Sequence, residues 1–561
     1  MFDQKSVQFD MDQLEEDFGC LLEDFAHAST FPEQEKWFKE LNDLRFLFET
    51  KQNEARLKHY KDMKDVHAQK EFAEINRYDS RYMKLVGDYY EALLTATFRN
   101  ELEDHWGQQL FRLAALKQNT YAPVIDDDLR KENELVMEYH AIFGNASIEF
   151  QNEELSLSAL TPHLTSPDRN IRKMAHQAKY QFFADHEDQF DRILDELVHT
   201  RHAMAIKLGY SSFTELGYRR MNRTSHTPED LKIYRDQVKT LGVPFVCDLR
   251  KSQQRRIGVE SLKHYDENYL FGDDAPSLKG PSGEILQHMQ KLFAELSPET
   301  KSFFEEMTAN DQLDFTPRPH KVGGNFATYL GPEKSPYIFV NLYGIPDDIR
   351  VFTHEMGHAF QFHMSRHWNI PEYIIPYDSA EVFSFGMERL AWPWLEYFFG
   401  AETDRYKYIH LISAFLYMPV ASAVDEFEHY LYEKPTAAIN ERKSKWRELE
   451  QAYLPFRDYD DNVFLEAGTS FYEIGHLFTT PFYFMDYDLA HFCSVQLWRK
   501  QLNFHEEAWK SYLEMCLNGG KLPFNELIRG ADIQSPFEEN SLEPLLEDVK
   551  EWIIDAEKQL K

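Results

Sequence analysis

Cysteine is scarce. Four occur in 561 residues, Cys20, Cys247, Cys493 and Cys516, and no two form a CxxC pair. Neither a disulfide framework nor a cysteine-based zinc site is indicated. Glycine and proline are also few, 23 and 24, and no repeat or Gly/Ser-rich linker interrupts the chain. Positive charge is in deficit: 61 Lys and Arg face 95 Asp and Glu, for a formal net charge of −34. Such a surface repels phosphates and anionic lipid, which argues against nucleic-acid and membrane partners. Long apolar runs are missing too. The longest, Leu411–Val424, is too short for a bilayer span and reads as a buried helix. The N-terminal MFDQKSVQFDMDQLEEDF is acidic where a secretion signal would be basic and then apolar. Together these features predict a soluble, cytoplasmic protein, with oligomeric state left open.

What the chain has is helical periodicity. Leu14, Phe18, Leu21, Leu22 and Phe25, then Trp37, Leu41, Leu44 and Phe48, follow the i, i+3, i+4, i+7 rule. Similar spacing recurs from Asp168 to about Leu296, broken by a loop at Phe271–Gly283, and again after Asp347. The expected fold is therefore mainly α, a large helical body. Two stretches differ. Ala146–Leu157 alternates like a β-hairpin, and Gly323–Tyr343 reads as a two-strand unit around Gly331-Pro332. A soft division near residue 200 separates an N-terminal helical region, 1–200, from a second region, 201–561. The basic cluster Arg250–Arg256 reads as a solvated helix face.

His354-Glu355-Met356-Gly357-His358 carries the most chemistry. On a helix the two histidines lie one turn apart on one face, so both imidazoles can converge on one cation. Glu355 sits beside them, free to take a proton from water activated by that cation. Chance supplies such a pattern roughly 0.1 times in a chain of this composition, so its context has to support it. Val351, Phe352, Met356, Ala359 and Phe360 give the helix an apolar surface, and histidines buried there need a partner. The alternative is two ordinary hydrogen-bonded histidines.

A catalytic zinc takes three protein ligands and keeps a fourth position open. After a turn containing Pro371 and Pro376, a new helix opens at Asp378-Ser379-Ala380-Glu381. Glu381 is the candidate third ligand, Glu388 a carboxylate that orients a liganding histidine, and Asp378 a further supporting acid. The competing reading makes Asp378 and Glu381 a capping box and Glu388 a surface charge. Further on, Pro481 suits the first turn of a helix on which Tyr483, Tyr487 and His491 stack at i, i+4, i+8, with His476 in a loop before it. Neutral His and Tyr can stabilise an oxyanion, although an aromatic stripe also serves plain packing. The strand segment before the histidine helix is either an ordinary hairpin or an edge that holds an extended peptide by main-chain hydrogen bonds. Gly323, Gly324 and Tyr329 are its candidate substrate contacts.

GGNFATYL, PYIFVNLYG and DDIRVFTHEMGHAFQ, followed by AEVFSFGMERL and HLFTTPFYFMDYDLAHFCSVQLW, resemble the oligoendopeptidase F and thimet oligopeptidase family of zinc metallopeptidases, closest to its compact bacterial branch. A weaker match is Leu197–Arg223, and the likeness spans roughly residues 145–500. It implies one zinc ion on His354, His358 and Glu381, with Glu355 as general base and acid. It further implies that His476, Tyr483 and Tyr487 contact substrate and oxyanion. The fold it implies is an elongated helical body with a deep channel that admits short unfolded peptides. Endopeptidase action follows from the resemblance; a carboxypeptidase of the same zinc class and a silent peptide-binding homologue are the alternatives. One departure stands out: Thr479-Thr480-Pro481 occupies the place of the thimet branch's Gly-rich turn, which leaves both tyrosines as candidates for the oxyanion bond.

Overall fold

Apolar residues at helical spacing become helices along nearly the whole chain, so the mainly α expectation holds. The computed structural model describes residues 9–271, 275–279 and 284–560. The first eight residues and most of the loop expected at 271–283 lie outside those described.

Two apolar cores organise the described residues. One gathers Met11 to Ala114 and adds Ile370 and Tyr373; the other runs from Ile125 to Ile553. Central to the first is α1 (Phe31–Lys61), started by the Thr30 side chain, which accepts the Glu33 amide, and by Pro32 at its first turn. The expected division at residue 200 falls inside α2 (Glu187–Lys207), whose buried residues belong to the second core.

The Ala146–Leu157 segment forms an antiparallel hairpin, β1 (Ile148–Phe150) with β2 (Glu153–Leu155), Ile148 opposite Leu155. Gln151 and Asn152 make its turn with φ of 54° and 67°. Two consecutive left-handed residues give the tight primed turn whose twist matches the strands. The second extended stretch forms a sheet ordered β3-β5-β4: β3 (Leu313–Asp314), β4 (Phe326–Leu330) and β5 (Ser335–Phe339). β4 pairs antiparallel with β5, as expected of a two-strand unit, and the two-residue β3, too short to leave a periodic signal, joins β5 in parallel.

The first core grips this sheet. Asn53 of α1 donates to the Tyr329 carbonyl, Arg56 to the Thr328 hydroxyl, and Thr50 accepts the Gly331 amide. A Cβ on Gly331 would meet the Phe46 ring at 2.6 Å, so only glycine admits α1 this close. A buried ion pair adds to the grip: Arg45 binds Glu372, which also accepts from Tyr90.

Five further helices carry the rest of the argument: α3 (Asp347–Ser365), α4 (Ala380–Leu390), α5 (Thr403–Glu433), α6 (Phe484–Asn503) and α7 (His505–Asn518). Asp347 and Asp348 sit in the first turn of α3, where the helix dipole favours acids, and Asp348 accepts the Gly344 and Ile345 amides. The apolar run Leu411–Val424 lies within α5. By length and composition the stretch Glu396–Glu433 passes for a membrane span, but 72% of its apolar window is buried inside the protein, as in a core helix. Arg250 corrects one expectation. It is buried, donating to Gln253 and to the Glu267 carbonyl, so this cluster is not simply a solvated face.

α3 and α4 meet at Gly357. A Cβ there would lie 2.6 Å from the Phe383 carbonyl oxygen and 2.7 Å from the Ser384 Cα, both backbone atoms that cannot step aside. Alanine in a helix interior normally stabilises by about 0.5–1 kcal/mol over glycine. Here overpacking, typically about 1–3 kcal/mol, outweighs that gain. Gly357→Ala is expected to lower the urea midpoint, and an unchanged or raised midpoint would contradict the close approach.

Candidate active site

α3 turns His354 and His358 to one side, their ring centroids 5.0 Å apart and nearly perpendicular. Facing them is Glu381 in the first turn of α4, brought near by the contact at Gly357. Its Oε2 lies 3.2 Å from His354 Nε2 and 3.6 Å from His358 Nε2, and the three donor atoms fall within 4.8 Å of one another. Two ligands on a tetrahedral zinc, each about 2.0–2.2 Å from it, stand roughly 3.3–3.5 Å apart. The observed separations match that edge length, so these residues fit a zinc ion.

Electrostatics agree with the geometry. Burial would depress the His354 pKa, but hydrogen bonds to Glu381 and Glu388 override it and lift it to about 10. Glu381 is held well below the carboxylate range: desolvation opposes ionisation, and the charge and hydrogen bonds of the two histidines prevail. The cluster draws positive charge inward, the environment a divalent cation would satisfy. Glu355, also buried, has its pKa raised by desolvation despite the nearby imidazoles; the Ala327 amide of β4 donates toward it, and Oε2 has no partner among the described residues. A carboxylate with raised proton affinity suits acid–base work.

Behind His354 runs a relay. Glu388 accepts from His354 Nδ1 at 2.7 Å and from His410 Nε2 at 2.6 Å, and Trp392 Nε1 donates to His410 Nδ1 at 2.9 Å. The indole can only donate, so His410 carries its proton on Nε2, and Glu388 in turn keeps the His354 proton on Nδ1. It is therefore Nε2 whose proton a metal would displace, and its lone pair would then face Glu381 and His358. Glu388 is thus buried and in contact with a candidate ligand, where the competing reading had it a surface charge. His410 and Trp392 escaped the sequence reading; the one available signal was a histidine inside an otherwise apolar run.

Asp378 lies elsewhere. It forms no capping box, because Ser379 is the residue that caps α4 and it makes no side-chain cap bond. Instead burial, with the neighbouring charge of Asp486, pushes its pKa up to about 7. Tyr329 is also displaced from its expected role. Its ring is buried with Phe46, Phe362 and Ile374, and its carbonyl already accepts from Asn53, so neither ring nor main-chain oxygen is open to a substrate. Gly323 and Gly324 are exposed, with open space above their Cα atoms.

The tyrosines arrive by a different route from the one expected. α6 starts at Phe484, not Pro481, because Phe482 adopts a left-handed φ of 71°. That conformation is costly for a bulky residue. It is clamped on both sides: Glu428 accepts the Phe482 amide at 2.8 Å, and Arg223 donates to its carbonyl at 2.5 Å and to Asp486 at 2.6 Å. The Phe482 ring lies over Gly217, where any Cβ would collide with it. From this turn Tyr483 donates to Glu381 Oε1 at 2.8 Å. Tyr487 lines the cavity, and its hydroxyl has no hydrogen-bond partner among the described residues. His476, on a short helix (Gly475–Thr479) rather than in a loop, stacks against Tyr483 and meets Tyr487 edge-on. Burial lowers its pKa and favours the neutral ring. The cavity, about 370 Å³, is bounded by Asn325, Arg350, Val351, His354, Glu355, Phe385, Tyr417, Phe484, Tyr487 and His491.

With the geometry described, comparison decides the family. Residues 163–545 match the description "Peptidase family M3", and residues 3–121 match "Peptidase M3 N-terminal domain". The chain belongs to peptidase family M3. Among solved structures, PZ peptidase A with an inhibitor is 40% identical over 99% of both chains, with a TM-score of 0.93. A structure described as an oligoendopeptidase F is 42% identical over 98% of both, also at 0.93. Another so described, from Bacillus anthracis str. Ames, is 38% identical over 99% of this chain and 98% of that one, at 0.88. No curated protein matches. Membership in family M3 makes the protein a peptidase, and its substrates peptides.

The buried Asp378 yields a pH test. Its folded pKa of about 7 exceeds the ordinary 3.8, so the native state binds the proton more tightly than the unfolded chain does. Its contribution is full below about pH 4 and is lost as pH rises through about 7. Asp378→Asn should be most stabilising, relative to wild type, above pH 7, with the advantage shrinking toward pH 4. Urea unfolding at several pH values measures it, and an advantage independent of pH would be the wrong result.

Proposed function

We propose that this peptidase is a zinc-dependent endopeptidase of short unfolded peptides. The reading is carried by the tetrahedral-edge spacing of His354, His358 and Glu381 next to a buried carboxylate, Glu355. A zinc ion held there would supply a Lewis acid and lower the pKa of water toward neutrality.

The side chains do the rest. Glu355 takes the proton of the attacking water and delivers it to the amine nitrogen that leaves. Glu388 keeps the His354 proton on Nδ1 through the relay from Trp392 and His410. Tyr483 is already engaged by Glu381, so its hydroxyl steadies that ligand. Tyr487, with an uncommitted hydroxyl at the cavity, is the first choice to donate to the developing oxyanion, and neutral His476 supports it.

Chelation should abolish cleavage of a quenched peptide and zinc should restore it. Glu355→Gln is expected to cut kcat by at least ~10³-fold while one zinc per chain remains bound, as read by metal analysis. Near-full activity, or loss of the metal, would refute the assignment. Mass spectrometry of products from a peptide blocked at both ends separates internal cleavage from carboxypeptidase action.

A further inference from the structure

Arg350 lies one turn before His354 on α3 and borders the same cavity. Among the described residues lining that cavity it is the one lysine or arginine; the others are the neutral Asn325 and His491, apolar or aromatic side chains, and His354 and Glu355. Its guanidinium is held in a fork by Asp347, Nε to Oδ1 at 2.7 Å and Nη2 to Oδ2 at 3.0 Å. That pair is partly open to solvent, the Arg350 side chain keeping 38% of its exposure and that of Asp347 56%, while the buried Glu388 adds a further negative charge behind the guanidinium. Exposed pairs of this kind contribute about 0–1 kcal/mol, so a second carboxylate can share or replace Asp347 at small cost. Everything else favours such a visitor coming here. The chain carries −34 overall and Glu355 adds a carboxylate to the cavity wall, so apart from the histidine cluster a substrate carboxylate near the scissile bond finds its cationic contact at Arg350.

We propose that Arg350 is the specificity-determining contact for a carboxylate on the substrate peptide. This rests on the peptidase reading of the neighbouring site. Asp347 precedes His354 by seven residues and Arg350 precedes it by four, about 10 Å and 6 Å along the helix. The guanidinium lies between those limits, and an extended peptide advances about 3.3 Å per residue. For a peptide running alongside α3, that span places the carboxylate two or three residues from the bond that is cut. A side-chain Asp or Glu and the peptide's own C-terminus present the same group, and a fork-shaped guanidinium binds either bidentately.

Two peptide pairs tell these sources apart. The first is blocked at both ends and differs as Glu against Gln two or three residues from the cleaved bond. The second has neutral side chains and ends in a free acid or an amide. In wild type one pair should show a preference for the acid of about tenfold or more in kcat/KM, carried mainly by KM. Arg350→Gln should bring that ratio near one, and Arg350→Glu should reverse it in favour of a Lys-bearing peptide. The pair that responds names the source. A wild-type ratio near one in both pairs, or equal losses on acidic and neutral peptides in Arg350→Gln, overturns the proposal. Chelator-sensitive cleavage of the neutral peptides by wild type reports separately on the underlying reading, which survives that result.

Discussion

Five ionisable side chains crowd into one buried space where α3 meets α4, and the charge they leave unbalanced governs what surrounds them. Glu355, Glu381 and Glu388 cannot all ionise in a poorly solvated pocket unless cations stand among them. Without a metal, His354 answers by holding its proton up to about pH 10. A divalent ion on the open lone pairs would answer the same need and free the imidazoles to be neutral. The backbone contact at Gly357 follows from this demand, since acid and imidazoles must be within bonding reach of one ion.

Precision comes from the layer outside. Trp392, His410 and Glu388 fix one tautomer by a chain of single-purpose donors and acceptors, a device that works because indole cannot accept. Phe482 does the corresponding work for the tyrosines. Its left-handed backbone is unfavourable in isolation and persists because Glu428 and Arg223 bind its two polar groups and Gly217 accommodates its ring. A turn fixed at both ends aims Tyr483 at Glu381 and Tyr487 into the cavity. Strain and function coincide at this turn.

How much of this a sequence can disclose depends on the range of the interaction. The helices, the hairpin and the strand pair were legible because their signals are local periodicities. The convergence of His354, His358 and Glu381 was legible because a motif on one helix and an acid on the next leave few geometries. Tyr329 misled because its burial comes from Phe46, almost three hundred residues away, and nothing near it in the chain announces that contact. Asp378 misled for a similar reason: its neighbour Asp486 belongs to α6. His410 was invisible because a histidine in an apolar helix does not say which carboxylate it meets. The start of α6 was misplaced because proline favours a first turn, and only the distant clamp on Phe482 postpones it.

The pair between Arg45 and Glu372 ties the two family segments into one mechanical piece. Glu372 follows the C-terminal end of α3 by only a few residues and is largely buried, its negative charge kept by Arg45 from the opposite segment. Severing the N-terminal segment would strand that carboxylate without a counter-ion, a defect that typically costs about 3–5 kcal/mol. The disturbance would fall at the tail of the helix that bears both histidines. Through its described residues the N-terminal segment thus steadies, from the far end of one helix, a reaction centre that sits at the other.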